Sequence, residues 1–235
     1  MNQVDLLASK SKFIQKLLRT AFVWRATGST YTTAIVATKG SYMSPANYVE
    51  LCRQENNELL SRFLVDGRTA VVEFGCGLGG NLISISSRIV RGVGVDINRG
   101  YVRLARALAR RSGATNLDFF PYDGIHLPQL GRFDLALCLN VFERLPRLDV
   151  VRYVQWMQTQ LAPQGTVIAF FLHQRALETG FANRLGKDAY VFWTLEQAEE
   201  VMHQSGFRVV DTLKWLEKGH LVIGSRSVTS GTSVA

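Results

Sequence analysis

The sequence has 235 residues, and 47% of them are apolar, which is enough for one sizeable α/β domain with an ordinary buried core. Lysine and arginine outnumber acidic residues 27 to 19, and the resulting net charge of +8 makes acidic partners conceivable. The longest apolar run, around 167–172, is far shorter than the ~20 residues needed to cross a bilayer, and the N-terminus lacks an apolar signal core, so we expect a soluble, cytoplasmic protein. Three scattered cysteines without CxxC spacing argue against a disulfide framework or a zinc knuckle.

The first part of the chain divides into two helical segments and a polar stretch. Residues 2–25 place apolar side chains at helical spacing among lysines, which predicts an amphipathic helix. Residues 26–44 are rich in Thr, Ser, Gly and Tyr and hold a single charge, so we expect a loop or lid. Ser44-Pro45 has the signature of an N-cap and a first-turn proline, and it predicts a helix to about Leu64.

Short apolar runs alternate with helical patterns from residue 69 onward, which is typical of a parallel sheet covered by helices. The predicted strands are 70–74, 92–96, 117–120, 134–139 and 166–172. The predicted helices between them are 79–90, 98–112, a short one near 126–130, and 147–161.

The C-terminal part predicts one more helix and a hairpin. Thr194 and Gln197 have capping-box spacing, so a helix should begin there and stop at Gly206. Residues 207–214 and 220–225 flank a short turn and should pair as an antiparallel hairpin, whereas the tail 227–235 should be mobile. The sequence therefore predicts a doubly wound α/β fold with a mostly parallel seven-stranded sheet, an antiparallel last strand and helices on both faces.

A glycine-rich turn follows the first of these strands in VVEFGCGLGGN, residues 71–81. Such a turn can serve a nucleoside triphosphate, a dinucleotide, or a nucleoside that carries an amino acid. Asn81-Leu82 follows Gly79-Gly80, and no lysine is present to reach a phosphate, so a nucleoside triphosphate is excluded.

Polar side chains stand at the carboxyl ends of four predicted strands, where open α/β sheets bind their ligands. They are Glu73, Asp96, Asp123 and Asn140. Asp96 follows the first glycine by about 20 residues, the distance at which a carboxylate accepts both ribose hydroxyls. The spacing suits NAD and S-adenosylmethionine (SAM) equally, because the glycines also satisfy GxGxxG.

Several separate segments together resemble the class I SAM-dependent methyltransferases over roughly residues 45–226. The segments are VVEFGCGLGG, GVGVDIN, FFPYDG, FDLALCLNVFERLP, LAPQGTVIAFF and the final hairpin of FRVVDTLKW and HLVIGSR. The resemblance implies a Rossmann-like fold, SAM as cofactor and S-adenosylhomocysteine (SAH) as product.

The resemblance also implies roles for individual residues. Glu73 would position the ammonium group of the methionine moiety, Asp96 would bind the ribose, and Ile97 would pack on adenine. Asp123 would meet the adenine amino group, and the backbone around Asn140 and Val141 would line the cofactor. The other cofactor-binding positions that we predict are Gly75, Cys76, Gly77, Gly79 and Gly124.

Methyl transfer from a sulfonium donor needs an acceptor held in line with the methyl carbon, and a general base is optional. Many relatives have histidine where ERLP has Arg144, so a base from that position is in doubt; Arg144 either binds an acidic acceptor or is a surface arginine. His173, directly after the fifth strand, is our first candidate for a catalytic residue, with a backbone-bonded strand-end histidine as the alternative. Glu143 is the second candidate. The histidines have no spacing that suggests a metal site.

We expect a helix and lid over 1–45, a SAM-binding domain over 46–226, and a tail over 227–235. Residues 21–45 and 173–193 should build the acceptor pocket, since similar methyltransferases fold an N-terminal extension over the strand ends. Tyr31, Tyr42 and Met43 can cover a nucleoside or an apolar acceptor. The alternative is a mobile connector.

The predicted function is methyl transfer to a small-molecule acceptor, at oxygen or nitrogen. No pattern predicts the acceptor's identity or an oligomeric state. Methylation of RNA or another polyanion is the alternative, supported by the pI near 9.7 and the basic N-terminal helix. An NAD(P)-dependent oxidoreductase and a binding module that has lost catalysis are lesser alternatives from other classes.

Overall fold

The computed structural model describes residues 43–64, 67–177, 190–215 and 218–226. The predicted helix 2–25, the lid residues Tyr31 and Tyr42, and the tail 227–235 lie outside these ranges, as does most of the predicted acceptor segment 173–193. The described helices are α1 (Pro45–Leu60), α2 (Gly80–Ile85), α3 (Arg99–Arg111), α4 (Arg147–Gln160) and α5 (Leu195–Gln204). The described strands are β1 (Ala70–Phe74), β2 (Arg91–Asp96), β3 (Leu117–Pro121), β4 (Phe133–Cys138), β5 (Leu161–Leu172), β6 (Phe207–Trp215) and β7 (Gly219–Arg226).

The described strands form one seven-stranded sheet in the order β3-β2-β1-β4-β5-β7-β6. β1 pairs parallel to β4, and β4 pairs parallel to β5. β7 runs antiparallel to both β5 and β6. The predicted mixed sheet with a reversed last strand is confirmed, and the carboxyl ends of β1, β4 and β5 lie at the edge where the predicted site residues follow.

Side-chain caps explain where the longer helices begin. Ser44 Oγ accepts the Asn47 N–H at 3.1 Å, with Pro45 in the first turn of α1. Asn98 Oδ1 caps α3 by accepting the N–H groups of Gly100 and Tyr101. Thr194 and Gln197 form the predicted capping box at α5.

The interior strands are buried on both faces, as expected for a sheet covered by helices. Phe74 at the end of β1 packs on Tyr153 and Trp156 of α4, with ring centroids 4.4 and 5.8 Å apart. Phe171 of β5 contacts Phe142 and Trp193, each at 5.3 Å. These aromatic contacts hold the strand ends that carry the site residues.

Some predicted bounds were wrong for local reasons. No helix forms near 126–130, because Pro128 lacks a backbone N–H and disfavours the helical conformation at Leu127. β5 begins at Leu161 and not at 166, because Leu161 already pairs with Phe133 before an irregularity in register.

Two helices are shorter than predicted. α1 ends at Leu60, and α2 ends at Ile85, where Ser86 starts a short 3₁₀ turn and its Oγ bonds the carbonyl of Ile83.

The chain divides into two compact units by its internal contacts. The first unit comprises the described residues up to Arg62, with Cys76–Ser87 and Gly94–Pro128. The second comprises Phe63–Gly75, Arg88–Val93 and the described residues from Gln129 onward. None of the helices in the described ranges has the length and hydropathy of a membrane-spanning helix.

Candidate functional site

The glycine turn leaves β1 with three left-handed residues. Gly75, Gly77 and Gly79 have φ values of +71°, +54° and +73°, which side chains other than glycine rarely adopt. The carbonyl of Cys76 accepts the Gly79 N–H at 2.8 Å, and the Cys76 N–H donates to the Val95 carbonyl of β2 at 3.0 Å. The turn is therefore fixed by its own backbone.

Neighbouring side chains, in addition to backbone strain, exclude residues other than glycine from this turn. A Cβ at Gly75 would lie 2.3 Å from Cγ2 of Val141, closer than real carbon atoms approach. A Cβ at Gly80 would lie 2.6 Å from Sγ of Cys52 and from a ring carbon of Tyr48, both on α1. Val141 is therefore the neighbour that a side chain at Gly75 would strike.

Asp96 ends β2 and ties the glycine turn to the start of α3. Its two carboxylate oxygens accept the Gly77 N–H at 2.9 Å and the Asn98 N–H at 2.7 Å. Burial raises the pKa of Asp96 to about 6, and the two backbone hydrogen bonds oppose that rise. Each oxygen retains a second lone pair, so the carboxylate can still accept from a ligand hydroxyl.

Ile97, Asp123 and Gly124 lie in the same unit as Asp96. A Cβ on Gly124, whose φ is +92°, would lie 3.1 Å from Cδ1 of Ile97, so this glycine and the half-buried isoleucine are adjacent. Asp123 is exposed, and its Oδ2 pairs with Nδ1 of His126 at 2.7 Å. The His126 contact, with the N–H groups of His126 and Ile125, lowers the pKa of Asp123.

Asn140 and Val141 follow β4 in the second unit. Asn140 is exposed and has φ of +58°, the one positive value among the described residues other than glycine. Asparagine tolerates this conformation better than most residues, and it turns the chain sharply so that Val141 meets Gly75.

Three buried acidic groups accompany these residues in the second unit. Glu73 is 1% exposed and Glu143 is 2% exposed. Burial raises the pKa of the Cys138 thiol, and the charges of Glu143 and Glu73 raise it further. Burial also raises the pKa of Glu143 to about 7, which the charge of Arg144 opposes. We name Glu73, Cys138 and Glu143 the acidic cluster.

Arg144 is held by an aromatic residue that sequence reasoning missed. Its guanidinium lies 4.1 Å from the ring centroid of Tyr190, and its Nη2 donates to the Tyr190 hydroxyl at 3.1 Å. Its Nε is 4.0 Å from Oε1 of Glu143, and the Glu143 carbonyl accepts the Val191 N–H. Tyr190 lies in the long segment 173–193, which we expected to help build the acceptor pocket. That expectation was the only sequence signal that pointed to Tyr190.

His173 follows β5 and faces a second histidine. Its Nδ1 accepts the Arg175 N–H at 3.1 Å, so the proton of the neutral ring is on Nε2. The His220 ring lies 5.4 Å away, edge to face. Desolvation lowers the pKa of His220, and the charges of His173 and Lys214 lower it further, whereas Glu196 and Glu199 raise it. This second ring was not predicted.

The predicted residues thus fall into two groups. The first unit holds Met43, Cys76, Gly77, Gly79, Asp96, Ile97, Asp123 and Gly124; the second holds Glu73, Gly75, Asn140, Val141, Glu143, Arg144 and His173. Among the described residues, no three His, Cys, Asp or Glu side chains are grouped so that they could hold a metal ion.

Comparison with known proteins finds methyltransferase relatives. A family model described as a methyltransferase domain matches residues 71–165, which include every predicted cofactor residue. The ubiquinone biosynthesis O-methyltransferase of Acinetobacter baylyi is 26% identical over 99 residues, which are 41% of this chain and 41% of that protein. These matches support a class I SAM-dependent methyltransferase domain in the matched part of the chain.

Solved structures of other methyltransferases share the fold of this class I methyltransferase. The magnesium protoporphyrin IX methyltransferase of Synechocystis PCC 6803 with bound SAM has a TM-score of 0.65 and 17% identity, and the match covers 88% of this chain and 97% of that one. An O-methyltransferase family 2 protein of Planctomyces limnophilus in complex with apigenin has a TM-score of 0.62 and 16% identity, and covers 78% and 60%. At these identities the similarity is one of fold.

Proposed function

We propose that this class I methyltransferase binds SAM and transfers its methyl group in line to oxygen or nitrogen of a small-molecule acceptor. The observation that carries the proposal is Glu73, a buried carboxyl group two residues before the glycine turn. A dinucleotide would bring its anionic pyrophosphate to such a turn, whereas SAM brings a cationic amino-acid end. A buried carboxylate beside the turn favours the cation.

The proposed contacts follow from the geometry of each unit. Asp96 accepts hydrogen bonds from the ribose hydroxyls with its remaining lone pairs, and Ile97 beside Gly124 offers an apolar surface to adenine. Asp123 meets the adenine amino group and shares its Oδ2 with His126. Asn140 and Val141 present backbone to the cofactor, and Met43 offers an apolar side chain to the ligands.

Two side chains are proposed for proton transfer. His173 in its observed tautomer donates from Nε2, so it is suited to orient an acceptor and acts as a base only after losing the Arg175 hydrogen bond. Glu143, buried and with a pKa near neutrality, is suited to take a proton at neutral pH. Arg144, stacked on Tyr190, can bind an anionic group of the acceptor.

Calorimetric titration of the protein with SAH, SAM and NAD tests the cofactor. We expect SAH and SAM to bind and NAD to give no heat above dilution. Glu73→Gln should weaken SAH, which has the ammonium group, more than 5′-methylthioadenosine, which lacks the amino-acid end. Binding of NAD with no binding of SAH would overturn the proposed function.

A polyanion acceptor is a second candidate, favoured by the outer face of α3. Arg99, Arg103, Arg110 and Arg111 are exposed on this helix, which contains no acidic residue. Arg106 is engaged with the Phe119 carbonyl at 2.9 Å from Nε and does not count toward that surface. Phosphate groups would bind such a face without sequence preference.

A further inference from the structure

The acidic cluster places two carboxyl groups and a thiol in one buried region at the carboxyl ends of β1 and β4. Glu73 belongs to β1, Cys138 ends β4, and Glu143 lies in the 3₁₀ turn after β4. Glu73 lies opposite Leu137 in the β1–β4 register, next to Cys138, and the charges of Glu73 and Glu143 both act on the Cys138 thiol. Two negative charges in such a region are costly without a cation.

Glu143 has a carboxylate oxygen with an unfilled contact. Its Oε2 is fully buried and has no hydrogen-bond partner among the described residues. Arg144 Nε lies 4.0 Å from Oε1, beyond hydrogen-bond distance, and the same guanidinium stacks on Tyr190. A carboxylate in this setting lacks one donor or cation.

The groups that face Glu143 come from three elements. Glu73 on β1 and Cys138 on β4 share this buried region, and Arg144 and the Glu143 backbone N–H in the 3₁₀ turn favour the ionised form of Glu143. The Tyr190 hydroxyl accepts a hydrogen bond from Arg144. Burial outweighs Arg144, which leaves Glu143 largely protonated below pH 7.

We propose that the Glu143 carboxyl group holds a proton in the free protein and that the ammonium group of bound SAM drives this proton into solvent. The proposal rests on the proposed function, in which Glu73 receives the ammonium group. The O–H bond of Glu143 breaks, its proton passes to water or buffer, and its electron pair stays on the carboxylate. No bond of the cofactor changes in this step. The carboxylate can then accept a proton from an acceptor, so the base forms only when the methyl donor is bound.

Proton release on SAH binding tests the proposal with the full chain. Calorimetric titrations at pH 7 in phosphate and in Tris, which differ in ionisation enthalpy, give the number of protons released. A group with a pKa of about 7 that ionises on binding releases about half a proton at pH 7. The same pKa makes SAH bind about tenfold more tightly at pH 8 than at pH 6.

Two controls separate Glu143 from other titrating groups. 5′-Methylthioadenosine has the nucleoside of SAH and lacks its ammonium group. Proton release due to Asp96 should therefore appear with both ligands, and proton release due to Glu143 should appear with SAH alone. Glu143→Gln should abolish the SAH-specific release. Asp149→Asn should leave it unchanged, since Asp149 is another carboxyl with raised pKa and an unpartnered Oδ2 in the same unit.

The outcomes distinguish this proposal from the proposed function. Equal release with both ligands, the same release in Glu143→Gln, or SAH binding without release overturns the role of Glu143 and leaves SAM binding intact. Failure of SAH to bind in any buffer overturns the proposed function and this inference together. If Glu143→Gln does not fold, infrared difference spectra of the native chain decide: SAH should remove the band of a protonated carboxyl group, and an unchanged band contradicts the proposal.

Discussion

Asp96 and Glu143 are buried carboxyl groups whose ordinary pKa values of 3.8 and 4.5 are raised to about 6 and about 7. The strand-end position of Asp96 could be predicted from its distance to the glycines. The burial of Glu143 could not, because it involves contacts with a distant part of the chain, such as the Val191 N–H that the Glu143 carbonyl accepts. Local spacing therefore locates strand-end residues, and it does not reveal which of them are desolvated.

The raised pKa of Glu143 makes the stability of the protein depend on pH. A carboxyl whose folded pKa exceeds its unfolded pKa binds more protons when folded, so the free energy of unfolding falls as pH rises from about 4.5 to about 7. Glu143→Gln removes this pH-dependent loss of stability. The free energy of unfolding at pH 8 should therefore rise, relative to its value at pH 4.5, by up to about 3 kcal/mol compared with the unsubstituted protein. Urea unfolding at both pH values measures it. Glu200→Gln, at an exposed position, should leave the slope unchanged; an unchanged slope in Glu143→Gln would contradict the prediction.

Asp96→Asn should weaken SAH binding by about 1–3 kcal/mol, the scale of a charge-assisted hydrogen bond. An amide has one acceptor oxygen in place of two, so either the Gly77 or the Asn98 N–H loses its partner as well. Calorimetry measures the affinity, and Asp118→Asn, an exposed carboxylate on β3, is the matched control. Equal affinities for the two variants would refute the ribose assignment.

Capping signals predicted the starts of α1 and α5 well, because each cap lies within a few residues of the helix it starts. The predicted helix near 126–130 failed because Pro128 lacks a backbone N–H and disfavours the helical conformation of the residue before it. The early start of β5 was missed because Pro163 and Gly165 lie within it, and strand propensity penalises both residues.

Three alanine substitutions separate conformational strain from steric collision at glycines. Gly113 has φ of +70° and open space, Gly80 has a collision without a positive φ, and Gly75 has both. We expect Gly113→Ala to cost about 1–2 kcal/mol of stability from strain and Gly80→Ala about 1–3 kcal/mol from overpacking against α1. Gly75→Ala should cost more than either, as measured by urea unfolding.

Val141 provides the check on Gly75. Adding Val141→Ala to Gly75→Ala should recover the steric part of the loss and leave the part due to φ. Strictly additive losses would show that Val141 is not the neighbour that excludes a side chain at Gly75.

The net charge of the whole chain is +8, which follows from its composition. The fold alone does not show which partner this charge would bind. The fold class and the reversed last strand were predictable because many separated motifs agreed, whereas no strand order was predicted. We expect the acceptor to depend on residues 21–45 and 173–193, most of which lie outside the described ranges. Charge distribution can be tested without knowing the acceptor.

Salt dependence distinguishes the two classes of acceptor. If the acceptor is a small molecule, we expect SAH affinity to change little between about 50 and 200 mM salt. We also expect the Arg103→Gln/Arg110→Gln variant to bind single-stranded RNA with the same salt slope as the unsubstituted protein. If α3 instead binds a polyanion, that double variant should lower the slope by about 1.4, because each phosphate contact on a single strand contributes about 0.7. Filter binding of RNA at several salt concentrations measures both.

The spatial order of the last strands differs from their order in the chain, and this affects how the protein is made. β6 precedes β7 in the sequence, yet it reaches the rest of the sheet through β7, which lies between β5 and β6. During synthesis β5 therefore has an open edge, and β6 has no docking place, until Gly219–Arg226 has left the ribosome. A nascent chain that stalls before Gly219 loses the pairing of two strands, and its long apolar β5 is exposed to the chaperones and proteases that recognise unfinished sheets.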